Sequence, residues 1–261
     1  MPKNQKRTSS LENALALLSL FTMNEPELSV TSVSKKLFIS KSTAHRLLSS
    51  LVQEGFVYKD ARTRLYSLGA SVLSLVNIVN SQIHISTEVI PLLNLLVEKT
   101  KESAHLSILD HQQTVYIQTI KGVYPCKDQI NLGTQRPSYY TAAGQAIIAY
   151  HPELYDDLMI DLYTCTSNPV KLPSSFKQRM ASIASKGYAI SNGEWVKGVT
   201  ELAVPVYKKH TDVIASISIT ANSDRITSPT IQKRYIRLLQ HAAGELQKMI
   251  QLRRIEKDAK R

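Results

Sequence analysis

The chain has 261 residues, which is enough for one large domain or two ordinary ones. Its hydrophobic content of 43% excludes a disordered chain, and no apolar run approaches the roughly 20 residues that a membrane-spanning helix needs. The net charge of +11 is uneven: residues 1–80 hold 10 Lys/Arg and 5 Asp/Glu, whereas residues 81–247 hold 16 and 14, so we expect a small polyanion-binding unit beside a larger, nearly neutral unit.

The segment "SSLENALALLSLF" predicts the first helix. Ser9 stands three residues before Glu12, which is the spacing of a capping box. Pro26 prevents the helix from continuing beyond "MNEPEL". The predicted apolar stripe of this helix consists of Leu11, Ala14, Leu15 and Leu18.

Two further helices are predicted on either side of the tight turn "FIS". The segment "LSVTSVSKKLF" predicts a short second helix with Thr31 as its N-cap, and "SKSTAHRLLSSLVQEG" predicts a third helix. Ser40 caps the third helix, and Gly55 ends it in the left-handed conformation. The residues predicted to face inward from the two helices are Val33, Leu37, Ala44, Leu47, Leu48, Leu51 and Val52.

A β-hairpin is predicted after the third helix, because the short strands "FVYKD" and "LYSLG" flank the basic turn "ARTR". Three helices and a hairpin within about 60 residues are the order of a winged helix-turn-helix. In this motif the second helix of the pair lies in the major groove of DNA, and its first residues reach the base edges.

The outer face of the third helix carries only short hydroxyls and cations, including Lys41, His45 and Arg46. Taken alone, such a face is equally well an ordinary solvated surface. The surrounding motif favours DNA binding, with arginine suited to guanine and with Arg62 and Arg64 in the wing on phosphate or in the minor groove. The predicted DNA-binding residues are Thr31, Ser32, Ser40, Lys41, Ser42, Thr43, His45, Arg46, Arg62 and Arg64.

Two helices are predicted between residues 70 and 101. The first, "ASVLSLVNIVNSQ", is the candidate linker, and its apolar stripe packs either on another subunit or on its own chain. The second, "STEVIPLLNLLVEKTK", tolerates Pro91 only in its first turn. The stripe of the first helix consists of Val72, Leu73, Val76 and Val79.

The remainder of the chain alternates strand and helix patterns. Strands are predicted at "SAHLSILD", "TVYIQTIK", "CKDQINLG", "YAISN", "VTELAVPVYK" and "VIASISIT". Helices are predicted at "TAAGQAIIAYHP", "LYDDLMIDLY", "SSFKQRMASIASKG" and, after Ser228 and Pro229, the long closing segment. This pattern is typical of an antiparallel sheet with flanking helices, an α+β fold.

Cysteine content and the N-terminus indicate a cytoplasmic protein. The N-terminus is basic but lacks the apolar run of a signal peptide, and two cysteines, Cys126 and Cys165, fit a reducing compartment. Neither belongs to a CxxC motif or has a histidine at ligand spacing, so we expect no metal site.

Three stretches in this order resemble the IclR family of bacterial transcriptional regulators. They are the head from "SLENALALLSLF" to "YSLG", the stretch "GTQRPSYYTAAGQA", and "KGYAISNGEWVKGVTELAVPV" followed by "IASISIT". The likeness runs from about residue 9 to residue 247. Each stretch alone is moderately specific, and the three together at matching spacing are strong.

The resemblance implies a winged helix-turn-helix DNA-binding domain (1–69), a linker helix (70–84) and a GAF-like effector-binding and oligomerisation domain (85–261). It also implies a homodimer, often a dimer of dimers, on a partly palindromic operator, a small-molecule effector and no cofactor; repression is the commoner outcome in the family. Carried over to this sequence, the family's effector pocket comprises Thr141, Ala142, Ala143, Ser191, Glu201, Ser218 and Thr220.

The sequence departs from the family pattern at four positions. Gln145 replaces the usual lysine, and Ser40 stands where proline is common. Phe38 occupies a turn position where glycine is usual, so we expect the turn to differ slightly, because a left-handed phenylalanine is strained. Glu201 takes a pocket position that is often small or apolar, and it either meets a cation or hydroxyls of the effector, pairs within the protein, or points outward.

Two other functions remain open for the second unit. An enzyme could use His105, Asp110, His111, Glu201 or the cysteines Cys126 and Cys165, although no nucleophile elbow, P-loop or HExxH motif is present. His105 lies on an apolar strand and is expected to be a satisfied core histidine, and Asp110 and His111 are expected in a hairpin turn. A body that only oligomerises is the second alternative.

Overall fold

The structure, a computed structural model, describes residues 9–22, 25–82, 85–155, 158, 173–209 and 212–258. The chain divides into two compact units, Met1–Ile83 and His84–Arg261. Within the described residues, none of the helices is both long enough and apolar enough to cross a bilayer.

The first unit is a winged helix-turn-helix. Its elements are helices α1 (Ser10–Leu18), α2 (Val30–Leu37), α3 (Lys41–Gln53) and α4 (Ser71–Gln82), with strands β1 (Val57–Lys59) and β2 (Tyr66–Leu68) paired antiparallel as the wing. Apolar residues from the first three helices and both strands share one buried core. The predicted capping box of α1 forms, because Ser9 Oγ accepts from the Glu12 N–H and Glu12 accepts from the Ser9 N–H.

The predicted stripe of α1 is half right, and the predicted N-cap of α2 is wrong. In α1 Ala14 and Leu18 of the stripe pack against the core, but Leu11 and Leu15 are exposed and the fully buried leucine is Leu17. The N-cap of α2 is Ser29 rather than Thr31, since Ser29 Oγ accepts from the Ser32 N–H at 3.1 Å and the helix therefore begins at Val30.

The turn between α2 and α3 keeps its left-handed residue even though glycine is absent. Phe38 has φ 55° and ψ 38°, so the expected change in the turn is not found. The Ile39 N–H donates to the Ser34 carbonyl, and Ser34 Oγ donates to the Ile39 carbonyl at 2.7 Å. These two bonds hold the turn on both sides of Phe38.

The second unit contains a six-stranded antiparallel sheet. In sheet order the strands are β5 (Gln135–Pro137), β4 (Gln113–Ile120), β3 (Ser103–Asp110), β8 (Asp212–Asn222), β7 (Val199–Lys209) and β6 (Ala189–Asn192). One face packs on α7 (Ala142–Ile148), and the opposite face is covered by α6 (Ile90–Thr100) and the closing helix α9 (Pro229–Asp258). The other described helices of this unit are α5 (Ile85–Glu88), α8 (Pro173–Lys186) and three short 3-10 helices (Ser138–Tyr140, Pro152–Leu154 and Ser223–Arg225).

Two helix predictions of this unit need adjustment. The predicted helix over "STEVIPLLNLLVEKTK" is divided into α5 and α6, with Pro91 in the first turn of α6 as expected. Most of the predicted helix "LYDDLMIDLY" lies outside the described residues.

The predicted strand "CKDQINLG" is not formed, and the edge strand β5 begins only at Gln135. A turn occupies the end of this stretch, because Thr134 and Asn131 bond each other and Gly133 adopts φ 79°. The alternation of apolar and polar residues there comes from one buried side chain, Ile130, while Leu132 is exposed.

Candidate functional site

The first residues of α3 carry a cluster of short hydroxyls. Ser40 caps the helix by accepting the Thr43 N–H at 3.1 Å, as predicted. Its hydroxyl also lies 2.8 Å from both Ser42 Oγ and Thr43 Oγ1. Small side chains at a helix start allow a phosphate to approach the backbone closely.

Three cationic or donor side chains, Lys41, His45 and Arg46, are exposed on the same helix. No acidic side chain among the described residues pairs with any of them. His45 Nδ1 lies 3.5 Å from Ser49 Oγ, and the charged groups of Lys41 and Arg46 are available to a ligand. The opposite side of α3 is anchored in the core by Ala44 and Leu48, which are fully buried.

Two further predicted DNA-binding residues, Thr31 and Ser32, lie on α2 and differ in whether a ligand can reach their hydroxyls. On α2, Thr31 is exposed, whereas Ser32 is half-buried and its hydroxyl donates to Glu25 at 3.3 Å. Thr31 is therefore available to a ligand, and the Ser32 hydroxyl is already bonded within the protein.

The wing tip is built by Asp60, whose carboxylate accepts the N–H of Arg62 at 2.8 Å and of Thr63 at 2.7 Å. These backbone bonds, that from Thr63 first, hold the pKa of Asp60 below its ordinary value. Arg64 takes the left-handed conformation, with φ 60°. Both arginine side chains are exposed at the tip.

In the second unit, Glu201 on β7 accepts hydrogen bonds from the start of α7. Its Oε2 accepts the N–H of Ala142 at 2.7 Å and of Ala143 at 3.3 Å, and its Oε1 accepts the Tyr116 hydroxyl at 3.1 Å. Of the three alternatives predicted for Glu201, the structure has the carboxyl paired within the protein.

The Glu201 carboxyl is buried and has no cationic partner among the described residues. Burial raises its pKa to about 7, although the nearby Ser218 hydroxyl and the two amide N–H groups favour the charged form. Ser218 Oγ itself lacks a hydrogen bond of good geometry. The neighbouring negative charge and burial also raise the pKa of Tyr116 well above its ordinary value, with burial the larger cause.

A narrow cavity of about 20 Å³ opens beside Glu201, with room for about one or two water molecules. Four predicted pocket residues line it: Thr141, Ser191, Glu201 and Thr220. The amides of Ala142 and Ala143 contact Glu201 behind the wall, and Ser218 lies beside the same carboxyl. Lining residues that the sequence reasoning missed are Tyr116, Asp128, Ile130, Tyr140, Glu194, Trp195, Val196 and Val199.

Two predicted hydroxyls of the cavity are already bonded. Thr141 caps α7 by accepting the Gly144 N–H at 3.0 Å and lies 2.9 Å from Thr114 Oγ1, and Ser191 Oγ donates to the Tyr140 carbonyl at 2.9 Å. The Thr220 hydroxyl, in contrast, is buried and finds no partner in the described part of the chain.

The acidic residues missed by the sequence reasoning are held by arginines. Asp128 accepts from Arg136 at 3.1 Å, and Glu194 accepts from Arg179 at 2.5 Å. The Gln145 side chain bonds both members of the Arg179–Glu194 pair. Its Nε2 donates to Glu194, and its Oε1 accepts from Arg179. The stretch "GEWVKG" contains Glu194, but nothing in its spacing shows that Glu194 meets Gln145.

His105 lies in the core as predicted, but only half of its ring is bonded. Its Nδ1 lies 3.1 Å from Thr119 Oγ1, whereas its Nε2 is buried and has no partner among the described groups. Burial lowers its pKa to about 3. His111, with φ 52°, lies in the predicted hairpin turn, and the described residues contain no group of side chains that could hold a metal ion.

Comparison with protein families gives two matches. The profile described as the IclR helix-turn-helix domain matches residues 10–61, and the profile described as the bacterial transcriptional regulator IclR C-terminal domain matches residues 78–248. The second match alone spans more than half of the chain.

Curated relatives carry regulator names. The HTH-type transcriptional regulator XynR of Escherichia coli K12 is 31% identical over 83% of this chain and 87% of its own length. The glycerol operon regulatory protein of Streptomyces coelicolor is 27% identical over 85% and 87%.

Solved structures share the fold of the whole chain. The IclR protein of Thermotoga maritima superposes with a TM-score of 0.73 at 24% identity, covering 92% of this chain and 98% of that one. An IclR homologue of Microbacterium hydrocarbonoxydans, complexed with 4-hydroxybenzoate, gives 0.78 at 17% identity and covers 94% and 100%.

Proposed function

Because the chain belongs to the IclR family of bacterial transcriptional regulators, we propose that a small-molecule effector in the cavity beside Glu201 changes the affinity of its α3 and wing for a DNA operator. The protein is a DNA-binding transcriptional regulator. The proposed role of residues 85–261 is sensing rather than catalysis, and we expect the protein in the cytoplasm with its DNA.

One observation carries the proposed DNA surface: Lys41, His45 and Arg46 are exposed on the helix whose start presents the hydroxyls of Ser40 and Ser42. Cations without an acidic partner attract phosphates, and an arginine can donate two bonds to one guanine. We propose that Arg46 reads a base and that the wing arginines contact the backbone.

The proposed coupling is a shift between two arrangements of the protein. A cavity of about 20 Å³ must widen to admit a metabolite, so the effector favours the arrangement in which the wall is displaced. We propose that the chain forms a homodimer, or a dimer of dimers, on a partly palindromic operator. Residues 70–84 then carry the change in the cavity to the two DNA-binding domains of each dimer. Repression is the outcome we favour, and the 23% identical relative named transcriptional repressor IclR of Escherichia coli supports it.

The DNA part is tested by fluorescence anisotropy with duplexes from the protein's own promoter region. We expect Arg46→Ala to lose about 1–3 kcal/mol of binding free energy on the specific duplex only. We expect Arg62→Ala to weaken binding to all sequences alike and to flatten the dependence on salt. Lys177→Ala removes an exposed cation of the second unit and serves as the control. Full affinity in both test variants would contradict the assigned surface.

The sensing part is tested by thermal shift against a metabolite panel, followed by DNA titration with each hit. A hit that changes duplex affinity without being consumed supports the sensor. Ser218→Ala should keep DNA binding and lose the response to that hit, because Ser218 lies beside Glu201. Turnover of the hit would favour the enzyme, and the absence of any hit would favour an oligomerisation domain.

A further inference from the structure

The wall of the cavity is acidic. Asp128, Glu194 and Glu201 all line it, and none of the lining residues described by the structure is a lysine or an arginine. Asp128 and Glu194 are neutralised from outside the wall by Arg136 and Arg179. Glu201 has no such partner among the described residues. A ligand entering the cavity therefore meets carboxylates and no facing cation.

The donors that a carboxylate ligand would need are already in use. The N–H groups of Ala142 and Ala143 and the hydroxyl of Tyr116 all donate to Glu201. A second carboxylate would compete for these donors, and above pH 7, where Glu201 is ionised, the two negative charges would repel each other at short range. Glu201 thus occupies the position in which an anion would be stabilised.

Hydrogen-bond acceptors and hydroxyls, in contrast, remain available. A carboxylate has about four lone-pair positions, and the bonds above use three of those of Glu201. Thr220, paired opposite Glu201 in the sheet, points an unpartnered buried hydroxyl into the cavity. The buried hydroxyls of Ser107, Ser216 and Ser218 also lack a partner within the described residues, but among these four hydroxyl residues Thr220 alone lines the cavity, where its hydroxyl can bond a ligand or a water.

The rest of the wall offers apolar and aromatic surface. Tyr140 and Trp195 lie with their ring centroids 6.2 Å apart, and Val196, Val199 and Ile130 complete this side. The Arg136 guanidinium lies 5.3 Å from the centroid of the Trp195 ring, so a cation of the protein already covers one face of that ring. The other aromatic and apolar surface beside the Glu201 carboxylate suits an organic cation or a hydroxylated apolar molecule.

We propose that this cavity selects a small non-anionic molecule, an amine or a polyol, that donates hydrogen bonds to Glu201 and Thr220, and that Glu201 excludes carboxylates. The inference rests on the proposed function, since it names the class of effector for the same cavity. Glu201 is then the residue that determines specificity.

The test uses the full chain and compounds that share a carbon skeleton but differ in one group. Two series serve: benzylamine, benzyl alcohol and benzoate, and ethanolamine, ethylene glycol and glycolate. Trp195 is the single tryptophan of the chain and lines the cavity, so its fluorescence reports binding, and calorimetry checks each affinity.

We expect the amine or the alcohol of a series to bind at least about tenfold more tightly than its carboxylate. Glu201→Gln should lower the affinity for the amine by about tenfold or more and raise the affinity for the carboxylate. If the ligand is a polyol, Thr220→Val should weaken the alcohol more than Glu201→Gln does. Glu98→Gln, which removes an exposed carboxyl from α6, is the matched control and should change nothing.

Tightest binding of the carboxylate to the unchanged protein would overturn the inference. So would the failure of every amine and alcohol to bind, or affinities that Glu201→Gln leaves unaltered. The proposed function fails separately: a compound can bind with the expected selectivity and yet leave the affinity for duplex DNA unchanged. Conversely, a carboxylate that binds most tightly of its series and alters duplex affinity would support the regulator and refute the selectivity.

Discussion

At the scale of single residues, Glu201 and His105 make stability depend on pH in opposite directions. Unfolded, Glu201 releases its proton near pH 4.5, whereas the folded chain holds it to about 7, so stability falls as pH rises through this window. His105 has a folded pKa of about 3 against an ordinary 6.5, so its contribution rises with pH over that range. Between pH 4.5 and 6.5 the two contributions offset each other.

Glu201→Gln should therefore change the slope of stability against pH. Without the carboxyl, the free energy of unfolding should rise more steeply from pH 4.5 to 6.5, and its difference from that of the unchanged protein should shift by about 3 kcal/mol in favour of the variant between acid pH and pH above 7. Urea unfolding followed by Trp195 fluorescence at several pH values measures this in the second unit. Parallel curves for the two proteins would contradict the raised pKa of Glu201, and Glu98→Gln should give a curve parallel to that of the unchanged protein.

Phe38 lowers the stability of the first unit through strain in its backbone. It adopts the left-handed conformation with a side chain that is 83% exposed, so little buried surface compensates for the backbone strain. Its large exposed ring stands two residues before the N-cap of α3.

Phe38→Gly should stabilise the first unit, because removal of about 1–2 kcal/mol of strain exceeds the added freedom of the unfolded glycine. Circular dichroism during thermal unfolding measures the change. Lys35→Gly, at an exposed position inside α2, should have the opposite sign, with a loss of about 1 kcal/mol. A lower melting temperature for Phe38→Gly would show that the ring makes a stabilising contact.

At the scale of elements, the start of α7 is held against β4 by a close approach at Gly144. A Cβ added there would lie 2.3 Å from Thr114 Oγ1 and 2.4 Å from the Ser138 carbonyl. The threonine also bonds Thr141, the N-cap of the helix. The glycine therefore allows the amides of α7 to reach Glu201.

Gly144→Ala should destabilise the second unit by about 1–3 kcal/mol, since the carbonyl it would meet belongs to the backbone and cannot turn away. Gly244→Ala in α9 is the matched control, because a Cβ there meets nothing within 4 Å, and alanine should stabilise that helix by up to about 1 kcal/mol. Denaturation followed by Trp195 fluorescence compares the two. Equal effects would mean that the close approach at Gly144 relaxes at no cost.

Helices and strands whose apolar residues recur at a regular spacing were predictable from the sequence, whereas contacts between elements distant in the chain were not. The stripe of Ala44, Leu47 and Leu48 predicted both α3 and its buried face. The false strand at 126–133 arose because the same alternation also fits a turn with one buried residue, Ile130. The resemblance placed Glu201 in the pocket, but its bond to Ala142 spans 59 residues, and no local pattern specifies a pairing that the sheet and α7 create together.

At the scale of the whole molecule, each chain presents one recognition helix and one wing. A single such unit reads only a few base pairs, and two linked units gain affinity because binding of the first raises the local concentration of the second. Helix α4 offers a surface for such linkage, since it exposes two pairs of neighbouring apolar side chains, Leu73 with Val76 and Leu75 with Ile78. Apolar side chains grouped on one helix in this way are typical of a protein interface.

The spacing of the operator half-sites therefore provides a test of the proposed dimer. Inserting about 5 base pairs between them turns one half-site to the opposite side of the duplex, and affinity should fall towards that of a single half-site. Inserting about 10 base pairs returns both half-sites to the same side of the duplex. Part of the affinity should then be recovered, to the extent that the connection between the two DNA-binding domains can span the longer distance. Anisotropy titrations at fixed salt on the original and two altered duplexes make the comparison. Equal affinity for all three duplexes would mean that each DNA-binding domain binds independently of the other. The effector could then act only within one chain.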